Sequence, residues 1–474
     1  MRISTIASRD VGEKVRLDAK FHLSKQNPFL QQLRAANLPS KRVDETVPRA
    51  SVWTGNIFTR VYAEHAEHGR PLLVPYDVFR YIPWSDKILS ETQVSQFEKL
   101  KVKRGTLLIV CSGRNLGPVT IADLYCERFV MSHDMVRIEG DYSDEFFYLA
   151  AFLSTPYGQA TIRTDMNGSV IDHTDANQVA AIRYPLIEES SRTKVAALFR
   201  EAFETRERAR LQLEQTRIQH ASHFGISDLG HRYGAIPARR RFSVNRRSLV
   251  DRIDAEANSP AYDELRERIR ACGGRPLFEI ADVRKPASRY KTNYVEDAAY
   301  GIPMLNGRQI AQYRPIAARL MSLAGFKKPE QFQLQAGTTV LTADGRAEEN
   351  LADCAFITEE RAGWGASGHV HRVVPKEGIN AGLIYLGCSS PPVQAQLKSL
   401  ATGSVVDALS EDDLAATAIP YEESDEAFQI GDAAAEAWRM FSIAVQLEDQ
   451  AMGSKRCFQP TALQGMRSPT LFAG

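Results

Sequence analysis

The sequence predicts an α+β protein built twice, as two tandem globular domains that are each followed by a long α-helix. Three observations support this prediction. Long helical segments lie at the middle and at the end of the chain, short motifs recur in the same order in both halves, and the segments between them are rich in β-branched and aromatic residues. The chain of 474 residues is long enough for two hydrophobic cores.

The first long helix is predicted from Ser191 to about Phe224, where neither Gly nor Pro interrupts the chain. Apolar and small residues recur there at spacings of three and four, which places them on one helix face. They are Val195, Leu198, Ala202, Thr205, Ala209, Gln212, Leu213 and Thr216. The charged side chains beside this face are predicted to be mostly solvated. They are Glu201, Arg206, Glu207, Arg208, Arg210 and Glu214. About 30 residues rising 1.5 Å each make a rod of roughly 45 Å.

The second long helix follows Glu426 and shows the same spacing. Its predicted buried face consists of Ile430, Ala434, Ala437, Phe441, Ala444 and Glu448, widened by Trp438 and Val445. A pattern of this kind on two helices of one chain predicts that both helices bury a continuous stripe.

The two halves also share motifs at a nearly constant offset. The pairs are Arg16–Lys20 with Arg252–Glu256, Gly105–Ile109 with Gly337–Leu341, Gly113–Arg114 with Gly345–Arg346, Asn167–Asp172 with Thr402–Asp407, and Pro185 with Pro420. One such match has little weight, but several in the same order indicate a tandem duplication of one unit.

These patterns predict six segments along the chain. They are a first globular domain at 1–189, a central helix at 190–224, a basic linker at 225–250, a second globular domain at 251–424, a distal helix at 425–452 and a polar tail at 453–474. Shorter helices are predicted at 25–36, 145–153, 262–272 and 381–386. The linker carries six arginines and is interpreted either as a solvated connection or as a contact to phosphate, which suits the guanidinium fork.

The overall composition gives few clues to a partner. The formal net charge is +1, so a polyanion-binding surface has to come from local clustering of basic residues. The six cysteines form no CxxC pair and are predicted to be reduced structural thiols of a cytoplasmic protein. The N-terminus lacks the apolar segment of a signal peptide, and no apolar run is long enough to cross a membrane.

The motifs of common enzymes are missing from the sequence. It contains no Gly-Lys dipeptide and hence no phosphate-binding loop of the Walker type. His369 and His371 have strand spacing without a nearby third ligand, so we expect them to be structural, and no metal site is predicted. A more distant alternative is an enzyme that uses His133 and His369, which occupy matching positions in the two halves, but no base or nucleophile accompanies either. We expect that the chain catalyses nothing on its own.

The duplicated order of motifs resembles the specificity (S) subunit of type I restriction-modification systems. The resemblance is carried by the paired openings RLDAKF at 16–21 and RIDAEA at 252–257, by the paired turns NGSVID at 167–172 and TGSVVD at 402–407, and by the long helix that follows each turn. It covers almost the whole chain, and the duplicated order is its specific feature.

The resemblance implies a non-catalytic, phage-defence subunit that reads a bipartite asymmetric DNA site. Each globular unit would be a target-recognition domain for one half of the site, and the helices would pair as an antiparallel coiled coil that sets the gap. The implied partners are double-stranded DNA and two copies of a DNA adenine methyltransferase subunit. ATP-dependent restriction subunits are left open. This chain would carry no cofactor, and S-adenosylmethionine would be bound by the methyltransferase partner.

Candidate DNA-binding residues are guanidinium, ammonium, amide, hydroxyl and aromatic side chains in loop-like stretches, because base edges and phosphates are read by such groups. In the first half they are Trp53, Thr54, Asn56, Arg60, Arg80, Lys103, Arg114, Asn115 and Asn167. In the second half they are Arg284, Lys285, Arg289, Tyr290, Lys291, Asn306, Arg308, Gln309 and Arg346. The stretch RKPASRYK at 284–291 is the strongest candidate. Gly168–Ser169 and Gly403–Ser404 are expected to be structural because both halves share them.

Residues predicted to pair the helices or to hold partners are Val195, Leu198, Ala202, Ile430, Trp438 and Phe441. An alternative function uses the same architecture without DNA. Two α/β modules on paired helices could serve as a protein-interaction scaffold, and a net charge of +1 is compatible with it.

Overall fold

A computed structural model describes residues 19–166, 171–229, 242–245, 253–255, 258–286, 290–347, 349–403 and 405–453. The described chain divides into two compact units. Unit 1 consists of its residues up to 207 together with 443–453, and unit 2 consists of its residues from 208 to 442. Most of the predicted basic linker, all six of its arginines, the motif at 16–18 and nearly all of the polar tail, with Cys457, lie outside the described residues.

Unit 1 mixes short strands and helices and ends in the first long helix. Its strands are β1 Ser40–Arg42, β2 Val52–Thr54, β3 Gly69–Leu73, β4 Ile88–Ser90, β5 Leu107–Val110, β6 Val119–Ile121, β7 Val130–Met131, β8 Met135–Ile138 and β9 Arg183–Pro185. Its helices are α1 Ala19–Ser24, α2 Pro28–Ala36, α3 Val43–Thr46, α4 Phe97–Leu100, α5 Asp144–Ser154, α6 Pro156–Ile162, α7 Ala176–Ala180 and the start of α8 Glu189–His223.

Unit 2 has the same kinds of elements. Its strands are β10 Gly274–Pro276, β11 Ala281–Arg284, β12 Tyr294–Val295, β13 Ile302–Leu305, β14 Arg319–Met321, β15 Thr339–Thr342, β16 Asp344–Gly345, β17 Cys354–Phe356, β18 Gly365–Ala366, β19 Val370–Pro375, β20 Asp407–Ala408 and β21 Ala418–Pro420. Its helices are α9 Pro260–Ala271, α10 Leu277–Ile280, α11 Ala381–Ser389, α12 Pro391–Ser399, α13 Glu411–Ala416 and the larger part of α14 Asp425–Gly453.

The two units share the topology of their main sheet and several other strand pairings. The main sheet runs β2-β8-β5-β6 in unit 1 and β11-β19-β15-β17 in unit 2. A second sheet pairs β3 in parallel with β7, and β13 in parallel with β18. The first strand of each globular domain pairs with its last strand, β1 with β9 and β10 with β21. The repeated motifs in the sequence therefore correspond to a repeated fold.

The helices begin where the sequence provides caps. Ser143 accepts a hydrogen bond from the backbone N–H of Phe146 at the start of α5, and Asn380 accepts one from Leu383 at the start of α11. A proline opens the next helix in both units, Pro156 in α6 and Pro391 in α12. Residues 146–153 and 382–388 are buried throughout, which makes α5 and α11 the centres of the two cores, as their apolar sequences predict.

The long helices have nearly the predicted bounds, and their predicted stripes are largely buried. In unit 1, Val195 belongs to the globular core, and the half-buried Leu198 packs against it. In unit 2, the ring of Trp438 lies 5.2 Å from that of Tyr385 in α11. These contacts hold each helix to the domain of its own unit. Among the described residues, no helix is both long enough and apolar enough to cross a membrane.

The prediction that the charged side chains of α8 are solvated is wrong for Arg206, Glu207 and Arg210. Only 2%, 8% and 1% of their respective surfaces are exposed. In unit 1, Arg206 forms an ion pair with Glu448 of α14. Both Glu207 carboxylate oxygens lie 2.9 Å from Nε of Arg104, and one of them also accepts from the backbone N–H of Leu124.

Unit 2 shows the same use of polar groups on the long helices. The guanidinium of Arg210 lies 5.9 Å from the ring centroid of Tyr313. Nε2 of Gln212 donates to the backbone oxygen of Ala433 in α14 at 3.0 Å. Helical periodicity identified the buried face, but it could not show that charged residues next to that face have partners of their own.

The ion pair between Arg206 and Glu448 generates a stability prediction. We expect Arg206→Met to lower the free energy of unfolding by about 3–5 kcal/mol, because it leaves a carboxylate buried without its ion-pair partner. The double variant Arg206→Met/Glu448→Leu should recover most of that loss. Urea unfolding measures both, with Arg208→Met at an exposed position of the same helix as the control. A double variant no more stable than Arg206→Met would show that the unpaired charge is not the cause.

Candidate nucleic-acid interface

Strand pairing brings four loops of unit 1 together where the strands of its main sheet end, which forms one edge of that sheet. Val110 at the end of β5 pairs with Met135 at the start of β8, and Thr54 at the end of β2 pairs with Val136. The loops after β2 and β5 therefore meet the loop before β8. The loop after β3 joins them, because the backbone N–H of Ser132 donates to the oxygen of Leu73 at 2.9 Å. We call residues 55–60, 74–84, 111–118 and 132–134 edge 1.

Edge 1 contains most of the candidates from the first half. Asn56, Arg60 and Arg114 are exposed there, and Arg80 and Asn115 are half-buried. These five side chains come from three separate loops and are brought together by the sheet.

Two contacts orient polar side chains within edge 1. Nδ2 of Asn115 donates to the hydroxyl oxygen of Tyr76 at 2.8 Å, so this amide is tied to a neighbouring loop. The guanidinium of Arg60 lies 3.7 Å from the carboxylate of Asp134. An exposed ion pair of this length adds little stability, so a phosphate could replace the carboxylate at small cost.

Trp53 and Thr54 precede edge 1 on β2 and are half-buried. The ring of Trp53 lies 4.8 Å from the guanidinium of Arg137 on β8. Arg137 is fully buried and donates to the backbone oxygens of Met135 and Met131 at 3.0 and 2.8 Å. Burial lowers the pKa of Arg137 to about 10, which leaves it charged at neutral pH. Trp53 therefore packs over a buried guanidinium on the neighbouring strand, and that guanidinium is bonded to backbone oxygens close to the loops of edge 1.

Lys103 does not belong to this surface. It precedes β5, whereas Arg114 follows β5, so the two residues lie at opposite ends of the same strand. The backbone hydrogen bond from Gly105 to Ala122 closes that far end. Lys103 is grouped with the other candidates because of its residue type and the loop-like composition around it. Neither property shows at which end of a strand a residue lies. Lys103 therefore stays a predicted DNA-binding residue that lies away from edge 1.

Unit 2 forms an equivalent edge from equivalent loops. Arg284 at the end of β11 pairs with Arg372 of β19, and Leu341 of β15 pairs with His371 of β19. The backbone N–H of Ser367 donates to the oxygen of Leu305 at 2.9 Å, which is the same contact that Ser132 makes in unit 1. We call residues 284–286, 290–293, 306–309, 345–347, 349–353 and 367–369 edge 2.

Edge 2 brings together the candidates from the second half. Arg284, Lys291, Asn306, Arg308 and Arg346 are exposed, and Lys285 and Tyr290 are half-buried. Most of these side chains are cationic, and they come from three different loops of the same edge.

The half-buried members of edge 2 have structural contacts. The backbone N–H of Lys285 donates to Oε1 of Glu411 at 2.7 Å. The ring of Tyr290 lies 4.7 Å from that of Phe332 in an edge-to-face arrangement. Arg308 lies 3.4 Å from the carboxylate of Glu349, while 65% of its side chain stays exposed. Tyr290 thus anchors its loop to the domain, and the cations around it remain accessible.

Gln309 is predicted to bind DNA, but its side chain forms hydrogen bonds within its own turn. Its side chain is buried, its Oε1 accepts from the backbone N–H of Asn306 at 3.1 Å, and its Nε2 donates to the oxygen of Ile316 at 2.8 Å. These bonds hold the turn that presents Arg308. An amide next to an arginine in a loop looks the same in sequence whether it reads a base or builds the turn.

The buried arginine behind the edge is repeated in unit 2. Arg372 on β19 corresponds to Arg137 and donates to the backbone oxygens of Phe332 and Ala366 at 3.0 and 2.9 Å. Burial lowers its pKa, also to about 10, and the nearby Arg284 adds to the effect. Sequence reasoning missed both arginines, because single charged residues on short apolar strands give no periodic signal.

The two histidines of the second half are placed differently from each other. Nδ1 of His369 lies 2.6 Å from Oδ2 of Asp344 at the surface, whereas His371 is buried with Nε2 2.8 Å from the oxygen of Leu409. Burial lowers the pKa of His371. Among the described residues, no group of three His, Cys, Asp or Glu side chains is arranged to hold a metal ion.

Two candidates and part of a predicted turn lie outside the described residues, namely Asn167, Arg289 and positions 167–170. The second turn can be followed more fully. The backbone groups of Thr402 and Ala408 exchange hydrogen bonds of 2.9 and 2.7 Å, and Oδ2 of Asp407 accepts from the backbone N–H of Ala347. These contacts agree with a structural role for the turn at Gly403, whereas Ser404 lies outside the described residues.

The described cysteines are free thiols, namely Cys111, Cys126, Cys272, Cys354 and Cys388. Burial raises the pKa of the Cys111 and Cys388 thiols to about 12. Thiols of this kind stay protonated at neutral pH and act as small apolar side chains in the two cores.

The contrast between Gln309 and Arg308 can be tested by stability. We expect Gln309→Leu to lower the free energy of unfolding by about 1–3 kcal/mol, because the side chain loses two hydrogen bonds, to the backbone N–H of Asn306 and to the oxygen of Ile316. Arg308→Leu, one position earlier and exposed, should leave thermal and urea unfolding unchanged. A Gln309→Leu variant as stable as the wild type would mean that the amide is not needed for the turn.

Comparison with known proteins finds no matching family model and no matching curated protein. Solved structures do match. The S subunit of a type I restriction-modification system from M. genitalium is 13% identical, with coverage of 88% of this chain and 92% of that chain and a TM-score of 0.31. A chain from a type I R-M system solved for its complex assembly and conformational transition is 14% identical, with coverage of 88% and 98% and a TM-score of 0.26.

The HsdS subunit from Thermoanaerobacter tengcongensis is 12% identical, with coverage of 89% of this chain and 95% of that chain and a TM-score of 0.26. This chain is thus similar to type I specificity subunits, the family that its sequence resembles.

Proposed function

We propose that this chain is the non-catalytic DNA-specificity subunit of a type I restriction-modification complex, with one half of a bipartite site read by each unit. The observation that carries the proposal is the pair of equivalent edges. Each edge gathers arginines and amides, most of them exposed, from three loops onto one end of a duplicated sheet. Duplicated sheets with different side chains at the same edge suit two readers of different sequences.

The side-chain chemistry of the edges matches that of base and phosphate recognition. Arginine donates two parallel hydrogen bonds to guanine or phosphate, and asparagine donates one to N7 of adenine while accepting one from its N6 amino group. Asn56 and Arg114 at edge 1, and Asn306 and Arg346 at edge 2, supply these groups on loops that a packed sheet holds. With a formal net charge of only +1, DNA affinity would come from these local clusters.

The long helices would form an antiparallel coiled coil that sets the gap between the half-sites. Support comes from contacts between α8 and α14 within each unit, the Arg206–Glu448 pair in unit 1 and the bond from Gln212 to Ala433 in unit 2. Readers on one face of a duplex are separated by about 34 Å, one helical turn. A helix of 35 residues is about 50 Å long, which is sufficient for this separation.

The chemistry on DNA would belong to the partners. The resemblance in sequence supports docking of two copies of a DNA adenine methyltransferase subunit, which would bind S-adenosylmethionine, and of ATP-dependent restriction subunits where the system has them. This chain would select the site at which they act.

The binding edge can be tested with two single-charge changes in unit 1. We expect Arg114→Gln to weaken binding of the full chain to duplex DNA and to reduce the slope of log affinity against log salt by about 0.9, the value for one lost phosphate contact. Lys103→Gln removes the same charge at the other end of β5 and should leave the slope unchanged. Fluorescence anisotropy over a salt series measures both.

Equal effects of the two changes would contradict edge 1 as the binding surface. A wild-type chain that binds no duplex DNA at low salt would contradict the proposed function, and would favour a protein-interaction scaffold built on the same two units.

A further inference from the structure

One aliphatic side chain at edge 1 is almost fully exposed. Ile57, in the loop after β2, is 87% exposed. Its neighbours in the chain are Asn56 and Phe58, and Arg60 lies three residues further on. We propose that Ile57 is a specificity-determining residue that contacts the 5-methyl group of a thymine in the major groove. This inference rests on the proposed function.

The backbone on the N-terminal side of Ile57 is held in place. The backbone N–H of Asn56 donates to Oε1 of Gln96 at 3.0 Å, and Nε2 of Gln96 donates to the Asn56 oxygen at 2.6 Å. Gly55 is buried against Leu100. A Cβ atom added at position 55 would lie only 3.1 Å from Cδ2 of the leucine. The polar groups of this backbone are thus bonded before the loop reaches Ile57.

The C-terminal side is held by packing and charge. The ring of Phe58 lies 5.7 Å from that of His133 and packs on the small apolar core of Leu72, Leu89, Val94, Phe97, Leu100 and Val130. Arg60 is next to Asp134. With both flanks fixed, the loop presents the Ile57 side chain without the loss of conformational freedom that an unanchored loop would suffer on binding.

The surroundings of Ile57 indicate its partner. Asn56, Arg60 and Arg114 are exposed in the loops of edge 1, so amide and guanidinium groups share this surface with Ile57 and with the partly exposed rings of Tyr76 and Trp84. Asparagine and arginine read adenine and guanine in the major groove, and the apolar group displayed in that groove is the thymine 5-methyl. A β-branched side chain between such readers is suited to this methyl group.

The experiment uses the full-length chain and duplexes that it selects from a random pool. Each thymine of the selected half-sites is then replaced singly by deoxyuracil, which lacks only the 5-methyl group. Wild-type affinity should fall about 3- to 10-fold at one thymine of the half-site read by unit 1, the effect of losing one buried methyl contact. Ile57→Ala should bind the thymine duplex with similarly reduced affinity and should not distinguish it from the deoxyuracil duplex.

The control variant is Ile218→Ala, which removes another exposed isoleucine, 65% exposed on α8, and should retain the wild-type discrimination. If Ile57→Ala keeps that discrimination, or if the unit 1 half-site contains no thymine, the inference is overturned while DNA binding stands. If the wild-type chain enriches no duplex at all, the proposed function fails, and the inference fails with it.

Discussion

The geometry of each candidate edge depends on a buried arginine on the central strand of the main sheet. Arg137 and Arg372 donate to backbone oxygens of the strand ends beside them, Met131 in β7 and Ala366 in β18. Each arginine therefore ties the main sheet to the second sheet at the point where the loops of the edge begin. A buried guanidinium without a carboxylate is costly. Its presence at the same position in both units indicates that the junction it makes is important to the fold.

The same junction explains why residues far apart in sequence meet at one surface. A parallel pair of strands places the loops after both strands at the same end, and the antiparallel neighbours return to that end. The loops after β2, β3 and β5 in unit 1, and after β11, β13 and β15 in unit 2, are gathered in this way. Their side chains differ while their scaffold is repeated, which suits two readers that recognise different sequences.

The sequence predicted the duplication, the two long helices, their buried stripes and the central buried helices, because each of these has a periodic or repeated pattern. It could not predict the roles of single polar residues. Lys103 and Arg114 are alike in composition and lie at opposite ends of β5, and Gln309 builds the turn that presents Arg308. Arg206 and Glu207 are buried because of partners far away in sequence, which periodicity does not reveal.

The central claim, one reader for each unit, is tested most directly by mapping methylated bases in cells that express this chain with the methyltransferase subunit proposed as its partner. Three versions are compared: the wild type, Arg114→Gln with Asn56→Ala at edge 1, and Arg308→Gln with Arg346→Gln at edge 2. The account predicts a split, asymmetric methylated motif in which the edge 1 variant alters one half alone and the edge 2 variant alters the other half alone. A continuous motif, or two variants that alter the same half, would contradict it.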